Sequence, residues 1–191
     1  MRRRIVDVTL DNLSDIPPEC LGSVFWELAD EPPVDPRFEK EEWFSSTLLE
    51  WGSCGKLTLE DDAAIGFAQF APGPLFPRVK RFRCGEVSTD AVYLSYCFVA
   101  EGRRGNGLGT ELVRSVARDV ADRGYRAVEA LGDWRWDGGW VLPAVFLAAN
   151  GFAVIREDAR YPLMRLDLRA AEEPREVAAR AAVPMAVPGV A

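Results

Sequence analysis

Histidine is absent from all 191 residues. That excludes a Ser-His-Asp or Cys-His nucleophile pair, a His-bearing zinc site and a histidine general base. Proton transfer near neutral pH must fall to a carboxylate, Tyr, Cys, Lys or water. Lysine is scarce: Lys40, Lys56 and Lys80 are the only ones, and arginine supplies the remaining positive charge. The four cysteines, Cys20, Cys54, Cys84 and Cys97, lie far apart with no C-x-x-C. Such spacing suits reduced thiols, and neither a metal site nor a redox dithiol is expected. Long apolar runs are missing too. Val141 to Ile155 is the best candidate, and Pro143, Asn150 and Gly151 interrupt it, so it falls short of the roughly 20 residues of a membrane span. Met1-Arg2-Arg3-Arg4 could open a signal peptide, but Asp7 and Asp11 stand where its apolar stretch would be. A cytoplasmic protein with no membrane partner is the expectation.

What is present is enough apolar material, 48% of the residues, to build a core. The length fits one domain, placed at 1–169, with an extension over 170–191 that holds a short helix near Glu176 to Ala182 or is a disordered tail. The 30 acidic residues outnumber the 23 basic ones, a net charge of −7. That balance argues against a nucleic-acid partner, which wants a basic face.

Patterning places a strand at 4–9 and a helix from Glu19 to Ala29 behind Pro17-Pro18. An acidic, proline-rich loop follows, then a helix from Phe38 to Trp51. Two strands, Gly55 to Asp61 and Ala64 to Ala71, turn at Asp61-Asp62. Residues 72–89 read as a long surface loop, a feature uncommon unless functional. Ala91 to Val99 is a strongly apolar strand, and Leu108 to Arg123 is the clearest amphipathic helix. A strand at Arg126 to Leu131, a short helix at Leu142 to Asn150 and strands at Phe152 to Arg156 and Leu163 to Leu168 complete the pattern.

The chemistry is concentrated in Phe98-Val-Ala-Glu-Gly-Arg-Arg-Gly-Asn-Gly-Leu-Gly-Thr110, where an apolar strand runs through an Arg/Gly loop into a helix. The first turn of a helix offers unpaired N–H groups and the positive end of its dipole. Gly105, Gly107 and Gly109 let the backbone turn tightly and approach an anion, and Arg103 and Arg104 can add charge. No Gly-Lys-Ser/Thr of a Walker A exists, and a G-x-G-x-x-G begun at Gly105 fails at Thr110. What fits is R-x-x-G-x-G, as Arg104-Gly105-Asn106-Gly107-Leu108-Gly109.

This strand–loop–helix resembles motif A of the GNAT superfamily of acyl-CoA-dependent N-acetyltransferases. Phe146-Leu-Ala-Ala-Asn-Gly-Phe152 resembles the short family helix that ends in Y-x-x-x-G-F. The stretch from Leu48 to Lys56 is similar to a bacterial subgroup of that family. The resemblance implies an α/β (α+β) fold, with a twisted, mixed, mostly antiparallel sheet of about six or seven strands and about four helices. It implies acetyl-CoA as cofactor and coenzyme A as product. Phe98, Val99, Arg103, Arg104, Gly105, Asn106, Gly107, Leu108, Gly109 and Thr110 would form the cofactor site. The implied reaction is direct attack by a primary amine, small molecule or protein, in a ternary complex. A homodimer is a further open expectation.

The usual acid of the family is a Tyr four residues before the Gly of the Gly-Phe pair, and here that position is Leu147. A replacement acid would come from Tyr96 or Tyr93, or from solvent. Glu129, a carboxylate inside an apolar strand, is the first candidate base, and Asp90 is the second. Asp133-Trp-Arg-Trp-Asp-Gly-Gly-Trp140 offers Trp134, Trp136 and Trp140 beside two carboxylates, a combination suited to an amine or cation. Leu147 keeps an alternative open: a non-catalytic acyl-CoA-binding or regulatory module.

Overall fold

The computed structural model describes residues 3–30 and 35–168. The expected extension at 170–191 and part of the acidic loop lie outside the described residues. Strand β1 spans Arg3–Asp7, the single-turn helix α1 Pro18–Leu21, and helix α2 Pro36–Glu50. Next come β2 (Gly55–Glu60), β3 (Ala63–Pro72), β4 (Ala91–Val99), helix α3 (Leu108–Asp122) and β5 (Ala127–Asp133). The two-residue β6 (Leu142–Pro143), helix α4 (Ala144–Ala149), β7 (Ala153–Arg156) and β8 (Leu163–Asp167) follow.

The strands form one eight-stranded mixed sheet in the order β1-β2-β3-β4-β5-β8-β7, with β6 paired to β5. Only the β4–β5 and β5–β6 pairs are parallel. One face carries α3 and α4, with Leu112, Val116, Val120 and Leu147 packed against Val92, Leu94 and Val128. The other carries α1 and α2, with Cys20, Leu21 and Phe44 against Leu57, Phe67, Tyr93 and Leu131.

Local chemistry explains most boundaries. Asp61 and Asp62 close the β2–β3 hairpin with φ of 47° and 68°, the left-handed geometry a two-residue hairpin needs and Asp tolerates. Asp35 caps α2 by accepting from Arg37 N at 2.9 Å, with Pro36 at the first helical position.

Two expectations are corrected. The helix expected over Glu19 to Ala29 stops after Leu21, at Gly22. Beyond it, Trp26 is pulled into the core and Glu27 into a buried polar cluster, so tertiary contacts override helical propensity. Residues 72–89 are not a simple surface loop. They hold two short 3₁₀ turns, Gly73–Leu75 and Pro77–Arg81, and bury Phe76 and Val79. A Cβ on Gly85 would lie 1.6 Å from the Val79 carbonyl oxygen, so only glycine fits there.

The buried polar cluster is unusual for a chain with so few lysines. Lys40 and Glu27 form an ion pair whose side chains are 0% and 1% exposed. Gln69 Nε2 donates to Glu27 Oε1 at 2.6 Å, and Trp26 N donates to Glu27 Oε2 at 3.1 Å. The Lys40 ammonium also lies 4.3 Å from the Tyr96 ring centroid. Lys56 is likewise buried, between Asp7 and Asp119, whereas Lys80 is exposed. Burial pushes the Lys40 ammonium below its ordinary range, with Glu27 opposing that shift. Removing one partner of such a pair strands the other charge. Lys40→Met alone is therefore expected to cost about 3–5 kcal/mol of stability. Lys40→Met combined with Glu27→Gln should recover most of that loss, as urea denaturation of the four members of the cycle would show.

Candidate functional site

The site begins with a fault in β4. Gln69 pairs with Tyr96, but the next residue, Phe70, pairs with Leu94, so Ser95 is an extra residue in the ladder. The bulge changes the alternation of side chains. Tyr93 and Tyr96 both face α1 and α2, while Leu94 and Cys97 face α3. A one-residue insertion reverses which face each later residue takes. Ser95 is buried, and its hydroxyl donates to the Gln69 carbonyl at 3.1 Å.

The bulge coincides with a parting of strands. β4 pairs with β5 only from Ala91–Ala127 to Tyr93–Glu129. Beyond that point the two strands run separately, and a cleft of about 730 Å³ opens at the C-terminal half of β4. Tyr96, Cys97, Phe98 and Val99 form one side of it. Arg103, Arg104, Gly105, Gly107, Leu108, Gly109 and Thr110 close one end, and Trp136, Trp140 and Phe146 supply aromatic surface. Its volume is that of an ordinary small-molecule site.

The loop between β4 and α3 leaves a helix N-terminus open at the end of the cleft. Gly105 and Gly107 both have φ of +79°, and a Cβ at either would meet nothing within 4 Å. Backbone conformation, and not crowding, therefore requires these glycines. Gly107 is the N-cap of α3 and carries no side-chain cap, so the first-turn amides have no side-chain oxygen placed over them. Gly109 is different. A Cβ there would lie 2.9 Å from Phe146 Cε2, so its role is to let α3 and α4 approach each other. Arg104 Nε donates to the Val99 carbonyl at 3.0 Å. Its Nη groups make no bond to another described residue and can reach a bound anion. Arg103 Nη2 lies 2.5 Å from Glu60 Oε2, which ties the loop to the end of β2. Asn106 is exposed and does not line the cleft.

The two expected bases are elsewhere. Glu129 is 0% exposed and sits where β4 and β5 are still paired. Its Oε1 accepts from Arg165 Nη1 at 2.8 Å, and its Oε2 accepts from Ser88 N at 2.9 Å. Asp90 accepts two bonds from the same guanidinium, each 3.0 Å long. Neither lines the cleft. These carboxylates fasten loop 72–89 to β5 and β8, which corrects the assignment of a base to them.

Tyr96 does line the cleft, but its hydroxyl is engaged. It donates to the Ser23 carbonyl at 3.3 Å and lies 3.1 Å from Ser23 Oγ. Burial raises its pKa well above the ordinary 10, which makes a poor acid and a good wall. Tyr93 is fully buried beneath it. Leu147 is 0% exposed in the core, so no proton donor stands on α4 at that place. Burial also pushes the Cys97 thiol, beside the cleft, up to about 12, so it stays protonated.

The tryptophan segment divides. Trp136 and Trp140 line the cleft, and Trp140 packs edge-on against Tyr96 at 5.4 Å. Trp26 Nε1 donates to the Trp140 carbonyl at 3.3 Å. Trp134 is 44% exposed and outside the cleft. Both carboxylates of the segment turn to Arg160, Asp133 at 3.2 Å and Asp137 at 3.8 Å. Glu19, on α1, is the one carboxylate among the described residues that line the cleft, and nothing in its Pro-Pro-Glu context singled it out in the sequence. The described residues contain no His/Cys/Asp/Glu group that could hold a metal, and no helix among them is long and apolar enough to cross a membrane.

The sequence matches the acetyltransferase (GNAT) family over residues 21–134, more than half of the chain. The chain belongs to that family. No curated protein matches it. Among solved structures, it is similar to yncA of Salmonella typhimurium, solved with its cofactor acetyl-CoA. That likeness has a TM-score of 0.62 at 16% identity, over 98% of this chain and 100% of the other. An N-acetyltransferase from Staphylococcus aureus Mu50 gives a TM-score of 0.60 at 16% identity, over 88% of this chain and 99% of the other. The PaiA N-acetyltransferase of Thermoplasma acidophilum, in complex with coenzyme A, gives 0.55 at 13% identity, over 87% and 99%. At such identities the likeness shows the GNAT fold.

Two outcomes follow from this geometry. Gly109→Ala should push Phe146 into the cleft, costing about 1–3 kcal/mol of stability, and narrowing should accompany it as a weaker fit of any ligand in calorimetry. The Arg165 bond holds the Asp90 carboxyl below its ordinary 3.8. A depressed folded-state pKa stabilises fully above the unfolded value and fades as pH falls through the folded one. Urea midpoints measured between pH 6 and pH 2, about the span a carboxylate titrates over, should fall at the acid end, and Asp90→Asn should flatten that fall.

Proposed function

We propose that this GNAT protein is an acetyl-CoA-dependent N-acetyltransferase that transfers the acetyl group to a primary amine in a ternary complex. One observation carries the reading. A single cleft joins an uncapped, glycine-flanked helix N-terminus to a splayed strand end and to an aromatic wall. The first feature suits a pyrophosphate, the second a pantetheine arm with its thioester, and the third an amine with its carbon skeleton. The coenzyme A and acetyl-CoA complexes among the similar folds support the same cofactor.

Acetyl-CoA supplies the activated thioester carbonyl. The amides at 105–110 and the Arg104 guanidinium would hold its phosphates. Backbone groups near Phe98 and Val99, parted from β5, would orient the carbonyl and stabilise negative charge on its oxygen. Leu108 and Phe146 keep water from the middle of the cleft. The described residues place no proton donor beside the leaving sulfur: the amine would attack in its neutral form and shed a proton to solvent as the C–N bond forms, and the thiolate released as the C–S bond breaks would take one back from solvent.

A non-catalytic acyl-CoA-binding module is the second reading, and the buried Leu147 favours it. The two readings separate in one pair of assays. Acetyl-CoA at a hundredfold excess over its dissociation constant should stabilise the fold by about 2.7 kcal/mol in either case. Arg104→Ala should weaken that binding about tenfold, a phosphate contact of about 1.4 kcal/mol. Only the enzyme releases free thiol when an amine is added. No thermal shift with acetyl-CoA would refute both readings.

A further inference from the structure

The cleft is polarised, and its polarity selects a class of amine. Its loop end carries Arg103 and Arg104, and among the described residues the only carboxylate that lines it is Glu19. Of the acids nearest Trp136 in sequence, Asp133 is buried against Arg160 at 3.2 Å, and Asp137 lies 3.8 Å from the same guanidinium, exposed and not among the residues that line the cleft. Glu27 is within the same half of the fold but is buried and spent on Lys40, Gln69 and the Trp26 amide. Glu129 and Asp90 are held by Arg165 outside the cleft. Among the described residues, one carboxylate therefore lines the cleft where the acceptor would lie.

The surface around that charge is aromatic. Tyr96 and Trp140 meet edge to face, and Trp136 is 43% exposed above them. The Tyr96 hydroxyl is held by Ser23, and the residue, 3% exposed, forms the floor of this surface. The Lys40 ammonium lies 4.3 Å from the centroid of the same ring and is held there by Glu27. Ser23, Lys40 and Glu27 thus fix an aromatic wall.

A polyamine needs an anion for each ammonium, because an unpaired cation against aromatic and aliphatic surface loses its hydration without compensation. A monoamine with an aryl or other bulky apolar body meets both features at once: the ammonium pairs with Glu19, and the body lies on Trp136, Trp140 and Tyr96. Resting on the N-acetyltransferase reading above, we infer that Glu19 is the residue that binds the acceptor ammonium, and that the acceptor is a primary monoamine with an apolar body.

The test compares phenethylamine with spermidine on the full chain, in wild type, Glu19→Gln and Trp136→Ala. Calorimetry with coenzyme A checks the other end of the cleft in each. Wild type is expected to favour phenethylamine over spermidine in kcat/KM. Glu19→Gln should raise the KM for phenethylamine about tenfold, the size of one charge-assisted hydrogen bond. It should leave kcat and coenzyme A affinity within about threefold, an uncertainty under 1 kcal/mol. The KM of wild type should rise with salt, since Glu19 is exposed, and that of Glu19→Gln should not. An unchanged KM in Glu19→Gln, or spermidine as the better acceptor, overturns the inference. If coenzyme A binds but no amine is acetylated, the enzyme reading fails by itself. Calorimetry of phenethylamine against the coenzyme A-loaded protein then decides the inference: binding weakened about tenfold in Glu19→Gln upholds it, and absence of binding overturns it.

Discussion

One extra residue in β4 governs the working half of this molecule. A parallel pair of strands held together along its whole length would leave no room between β4 and β5. The insertion of Ser95 bends β4 away after Tyr93, and the gap so made is the cleft. The same insertion decides which side chains face which helix layer. Without it Tyr96 would point at α3 and Cys97 at α2. The cost of an irregular ladder is met by burying the Ser95 hydroxyl against the carbonyl of its cross-strand neighbour.

Everything else around the cleft is arranged to keep that gap open and shaped. On one face α3 starts where the strand ends, so its bare N-terminus faces the opening. On the other face, α1 and the irregular stretch to Leu28 are pinned by side chains: Ser23 to Tyr96, Trp26 to Trp140, and Glu27 to Gln69 and Lys40. At the closed end, Arg165 gathers Asp90, Glu129 and Asp167. That hub holds the strands together where they must stay paired, and the bulge releases them where they must part.

The sequence made the fold legible wherever a local pattern had a single physical meaning. Ala91 to Val99 and the stripe from Leu108 onward read directly as strand and helix, because their apolar period is unambiguous. The Arg104-to-Gly109 loop was readable because its glycines, in part, serve backbone geometry alone. The site was less legible. Glu129 looked like a base because it is a lone acid in an apolar strand, but its partner Arg165 is 36 positions away and only the β5–β8 register brings them together. Glu19 carried no mark in the sequence, since its position depends on a helix that ends one turn after it starts. Ser95, a polar residue within an apolar strand, was a sign of the bulge that only the pairing made readable.

The lysine distribution has a further meaning for a protein of this family. Acetyl thioesters slowly acylate any accessible neutral amine, including those on the proteins that bind them. Here Lys40 is sealed in the core and Lys56 is held between two carboxylates, which leaves Lys80 as the exposed lysine side chain. Arginine carries the rest of the positive surface and is inert to this chemistry, because its guanidinium keeps its proton. The chain therefore presents very little of its own surface as a target for the reagent proposed for its cleft.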